Sequence, residues 1–214
     1  MNPIDLIKQH LGEDAWQRGH GVCPDPTTIV LDEDSCVFTS YRIYGVRGGD
    51  RQFDFPTLPY GSYGYYAANG REAVRLTRAG KEIQTILAKE WPSFAQANPV
   101  RLASLILCFF DGGILASHHV LADADDLRSM CQPPREFHLD EQAFATALPE
   151  LGVTSCRLEG NEIVLRAITL LGWMHDKRNL GIETLTIHEN GAVALSQRRV
   201  LAENVFERVP GIMY

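Results

Sequence analysis

The order of elements legible in this chain predicts an α+β protein, mainly antiparallel sheet, with N-terminal and central helices and a four-stranded β-meander near the C-terminal end. Three observations carry that prediction. Strand and helix signals do not alternate as βαβ, which removes the doubly wound parallel folds. The stretches "TSCRLEGNEIVLRAITLLGW" and "IETLTIHENGAVALSQRRVL" are each rich in strand formers and broken by a tight-turn pair, Gly160-Asn161 and Asn190-Gly191, so one hairpin follows another. Between the N-terminal part and this meander lie runs of apolar residues at helical spacing.

The elements follow in order. "NPIDLIKQHLG" is predicted to be a short helix, with Asn2 as cap, Pro3 in the first helical position and Gly12 as the left-handed stop. "TTIVL" and "CVFTSYRIYGV" flank the turn-forming "DEDS" and are read as a hairpin. From Arg47 to Gly70 the density of glycine, proline and tyrosine predicts a long aromatic loop. "REAVRLTRAGKEIQTILAKEW" then places Leu76, Ala79, Ile83, Ile86 and Leu87 at helical spacing until Pro92. A second Asn-Pro start, at Asn98 and Pro99, opens "NPVRLASLILCFF", a helix apolar on most faces and therefore central. A strand over Gly113 to Val120, the short helix "ADDLRSM" and a helix from about Asp140 to Gly152 precede the meander. The chain is read as one unit over 1–214, divisible into a helix, hairpin and helical part (1–135) and a helix plus meander (136–214).

With 45% hydrophobic and 22% charged residues in 214, the chain has the composition of a globular protein large enough to bury a core without staples. Its formal net charge of −7 repels phosphate backbones and anionic headgroups, so neither nucleic acid nor a membrane surface is expected as partner. Five scattered cysteines without a C-x-x-C pair fit reduced thiols rather than a disulfide frame or a zinc site. The opening residues lack a basic head followed by an apolar run, and the most apolar segment, "LASLILCFF", is too short to cross a bilayer. A cytoplasmic location is therefore expected.

The segment "GGILASHHVLADADDLRSM" gathers the residues best suited to chemistry. His118-His119-x-x-x-Asp123 resembles the HHxxxDG signature of chloramphenicol acetyltransferase, peptide-synthetase condensation domains and plant alcohol acyltransferases. The resemblance implies His119 as general base toward an acceptor hydroxyl or amine and Asp123 as the carboxylate that holds local architecture. Such an imidazole can accept a proton at neutral pH. The likeness covers about twenty residues, and Ala124 stands where those families have glycine. The alternative reading of the same residues is a strand end at His118 and His119 and a helix cap at Asp123 or Asp125.

No complete metal set is legible, and no cofactor is assigned. Asp123-x-Asp125 fails the calcium-loop pattern at Leu127, there is no H-E-x-x-H, and His175-Asp176, similar to the ligand pair of HD-type phosphohydrolases, falls at the end of an expected strand rather than on a helix. A His/Asp metal-dependent hydrolase is thus the least favoured enzyme reading.

His118, beside the expected base, and two other groups could contact a ligand or partner. Tyr63, Tyr65 and Tyr66, in the expected loop, could stack on a ligand or pin that loop to the core. Arg71, Arg75 and Arg78 would form a stripe on the following helix, open to a phosphate or an acidic partner. Arg198 and Arg199, on a strand, would point to opposite faces. Taken together, these readings favour a binding or assembly protein, engaging a protein partner or a second copy through the aromatic loop or a sheet edge. The alternative is a small enzyme with His119 as base; the sequence names no small-molecule ligand.

Overall fold

The computed structural model of the chain describes residues 1–17, 28–31, 37–47, 62–76, 80–110, 119–130, 137–171 and 177–208. The first helix, α1 (Pro3–Gln17), opens where Asn2 supplies a cap: its Oδ1 accepts from the Ile4 amide at 3.0 Å and its carbonyl from the Asp5 and Leu6 amides. The helix runs through Gly12, against the stop expected there. A glycine costs a helix about 1 kcal/mol and does not end it when the following residues are helix-compatible.

Four antiparallel strands form the first sheet in the order β1-β2-β3-β4: β1 (Thr28–Leu31), β2 (Arg42–Arg47), β3 (Ser62–Ala68) and β4 (Ala73–Leu76). Two sequence expectations are corrected here. "SYGYYAA" is strand rather than loop, and "AVRL" is strand rather than the first turns of a helix. Asn69 and Gly70 make the turn between them: Asn69 Oδ1 accepts from the Arg71 and Glu72 amides at 2.8 and 2.9 Å, and the Asn69 amide bonds the Glu72 carbonyl. Gly80, at a φ of 70°, then separates β4 from α2 (Lys81–Glu90).

A 3₁₀ turn (Ser93–Gln96) leads to α3 (Pro99–Phe110), whose first amides, Val100 and Arg101, donate to Asn98 Oδ1. The remaining elements are β5 (His119–Leu121), α4 (Ala124–Met130), β6 (Phe137–Leu139), α5 (Glu141–Leu151), β7 (Ser155–Glu159), β8 (Glu162–Leu171), β9 (Lys177–His188) and β10 (Val193–Arg208). The expected meander β7 to β10 is present, and β5 and β6 extend it at opposite edges in the order β5-β8-β9-β10-β6, with β7 sharing the β5 edge of β8. The class is α+β with mainly antiparallel sheet.

Strand alternation distributes the cores. On the first sheet, Tyr44, Tyr66, Ala68 and Ala73 share the face that buries Ile7 of α1, while Ile43, Ala67 and Leu76 face α2. On the second sheet, Ile163, Leu165, Leu185 and Ile187 face α2 and α3, and Ile168, Leu170 and Leu180 face α4 and α5 through Leu127, Phe144, Ala147 and Leu151. The layers are therefore α1, first sheet, α2 with α3, second sheet, α4 with α5. One cluster, centred on Leu102, Ile106 and Phe109 of α3, draws side chains from both 1–135 and 136–214. At roughly 1.5–3 kcal/mol for each large apolar side chain fully buried, α3 ties the two sheets together. Among the described residues no helix is long and apolar enough to cross a membrane.

Candidate functional site

The histidine segment lies where β5 turns into α4. His118 lies outside the described residues. His119 begins β5 rather than ending a strand, and pairs with Leu170 of β8. Alternation sends Val120 toward the α3 core and puts His119 with Leu121 on the α4 and α5 side, where His119 is solvent-exposed. Although part of the residue meets water, its pKa is held below the usual 6.5, first by partial desolvation of the ring among its neighbours and then by the positive charge of Arg178 on β9; the carboxylate of Asp126 opposes both.

Asp123 is the N-cap of α4. Its Oδ1 accepts from the Asp125 and Asp126 amides at 2.9 and 3.1 Å. Asp126, in the third helical position, reaches back so that its Oδ2 accepts from the Ala122 amide at 3.0 Å, much as in a capping box. The carboxylate acting on His119 is thus Asp126, which the motif spacing did not single out. Thr154 ties this corner to the sheet: its hydroxyl donates to the Leu121 carbonyl at 2.5 Å and accepts from the Ile168 amide at 2.9 Å. His175 and Asp176 lie outside the described residues, among which no group of three His, Cys, Asp or Glu side chains could hold a metal ion.

The tyrosines belong elsewhere. Tyr63, Tyr65 and Tyr66 are on β3; Tyr66 is fully buried beneath α1, and Tyr65 meets Phe109 of α3 edge to face with ring centroids 6.1 Å apart. Arg71 stands in the Asn69-Gly70 turn and Arg75 on β4 opposite Tyr66, while Arg78 lies outside the described residues. The expected helical arginine stripe is therefore corrected: no helix carries Arg71 and Arg75.

Several polar groups that sequence patterning did not single out are structural. The Glu90 carboxylate, buried at the end of α2, accepts from the Thr39 and Ser40 amides at 2.8 and 3.0 Å and pins the chain ahead of β2. Nearby, Lys89 donates to Glu72 at 2.6 Å and to the Tyr41 hydroxyl at 3.0 Å, and that hydroxyl donates to Glu72. Burial and the Glu72 contact raise the Tyr41 pKa, while the Lys89 and Tyr41 hydrogen bonds lower that of Glu72. Each group is held in its ordinary protonation state, which suits a structural tie and not proton transfer. Arg166 of β8 donates to the carbonyls of Glu150, Leu151 and Val153, closing the C-terminal end of α5.

The outer strand β10 shows a different arrangement. It pairs with β9 along one edge, and on the other β6 covers only Phe206 to Arg208. Arg198 and Arg199 point to opposite faces: Arg198 bonds the fully buried Glu183, and Arg199 bonds Glu150 of α5. Leu195 and Val200 remain 44% and 45% exposed. Comparison of the chain with family models, with characterised proteins and with solved structures finds no match in any of the three.

Proposed function

We propose that this chain is a binding or assembly protein that engages a protein partner by strand addition along the outer edge of β10. One observation carries the reading: among the described residues no strand pairs with that edge from Val193 to Ala202, and it presents Leu195 and Val200 beside backbone groups able to hydrogen-bond an added strand. The acidic balance of the chain supports a protein partner over a nucleic acid. A reducing, cytoplasmic setting fits the thiol of Cys156, whose pKa burial pushes up to about 11, so that it stays protonated.

Site-resolved amide exchange on dilute protein tests the reading. The β10 amides that point away from β9 should exchange as solvated amides while their inward neighbours stay protected. Uniform protection in the monomer would mean the chain covers its own edge.

A second reading keeps His119 as a proton acceptor, supported by the depressed pKa that leaves its imidazole neutral at pH 7. Its test is turnover of simple acyl thioesters with acceptor alcohols or amines. Activity lost in His119→Gln supports that reading, and equal rates in the two proteins end it.

A further inference from the structure

Strand-edge binding leaves open what occupies β10. Resting on that reading, we infer that the occupant is a second copy of this chain, its β10 antiparallel to the first about a two-fold axis at Arg198.

The register of β10 on β9 carries the inference. Leu195, Arg198 and Val200 pair with Leu185, Glu183 and Gly181, and so share one face. Ala194, Gln197, Arg199 and Ala202 pair with Thr186, Thr184, Ile182 and Leu180, and share the other. The register shifts after Leu195 and after Val200 absorb Ser196 and Leu201, making the sequence of faces symmetric about Arg198. Ser196 is taken up locally, its hydroxyl donating to the Thr184 carbonyl at 3.0 Å, and Leu201 packs into the α5 side of the core.

An antiparallel copy in this register places apolar side chains opposite apolar ones and polar opposite polar. Leu195 meets Val200 of the second copy, Ala194 meets Ala202, and Gln197 meets Arg199, on matching faces throughout. The exposed apolar side chains then cover each other, which is the cross-strand pairing that stabilises a sheet. The like charge at the axis is offset before contact, because each Arg198 already bonds a Glu183 carboxylate and each Arg199 is held by Glu150.

The same features limit growth. Bulged edges resist indiscriminate pairing, and a two-fold contact uses up this edge on both chains, so assembly through β10 stops at the dimer. An interface of one strand pair is small, and its dissociation constant is expected on the order of 10 µM.

Sedimentation velocity and cysteine pairing together test the inference. From about 1 to 100 µM the chain should pass reversibly from monomer to dimer. Val200→Lys, an exposed substitution that leaves the folded circular-dichroism spectrum unchanged, should hold it monomeric. Mild oxidation of the Leu195→Cys/Val200→Cys double variant should cross-link dimers through 195 to 200 bonds, identified by peptide mapping and absent from the wild type. A monomer at every concentration, or cross-links in another register, would overturn the inference. A monomer whose outward β10 amides exchange freely rejects self-pairing yet keeps the edge reading. A monomer with those amides protected rejects both.

Discussion

At the scale of single residues, a carboxylate oxygen that accepts two helix amides has little left to offer an imidazole, and Asp123 is in that position. Asp123→Ala is expected to cost about 1 kcal/mol in urea denaturation and Asp123→Asn only a few tenths, as for an N-cap. For His119, an NMR titration should give a pKa below 6.5, moved further down in Asp126→Asn and upward in Arg178→Gln. The unfolded chain then binds the His119 proton more readily than the folded one. This residue therefore removes stability as the pH falls from 6.5 through the folded pKa, and has no effect above. His119→Gln should flatten that part of the pH dependence.

At the scale of elements, the turn between β9 and β10 is set against α2. Gly191 has a φ of 79°, and a Cβ there would lie 1.9 Å from the Gln84 carbonyl oxygen. Gly191→Ala is expected to destabilise the chain by more than about 2 kcal/mol in chemical denaturation, from left-handed strain and a backbone clash together. Gly160, also at positive φ but with open space around it, should lose only the strain part, about 1 kcal/mol, on the same change. Turn chemistry made the meander legible, since Gly160-Asn161 and Asn190-Gly191 sit between unmistakable strands. The same Asn-Gly signal at Asn69-Gly70 was hidden by the glycines and tyrosines before it, which resemble loop composition. Leu76 falls at helical spacing from Ile83 by coincidence; Gly80 is the local feature that breaks the helix there. The cap at Asp123 and the divergence of Arg198 from Arg199 could be read from short-range rules. Arg178 could not, because it nears His119 only through the pairing of β5, β8 and β9, and Asp126 does so only because α4 folds back on the end of β5.

At the scale of the whole molecule, α2 and α3 are shared between two sheets, so each sheet has helices on both faces, and among the described residues no strand covers the outer side of β10 from Val193 to Ala202. Solvent competes for the backbone groups of such an edge, and natural sheets cover or distort it. Here the distortions fall where they make the exposed side chains of β10 self-complementary about Arg198. Amide exchange of β10 in one sample, diluted well below and concentrated well above about 10 µM, tests this most directly. The amides that point away from β9 should exchange freely when dilute and become protected when concentrated. Protection at both concentrations, or at neither, would contradict pairing of two copies along this edge.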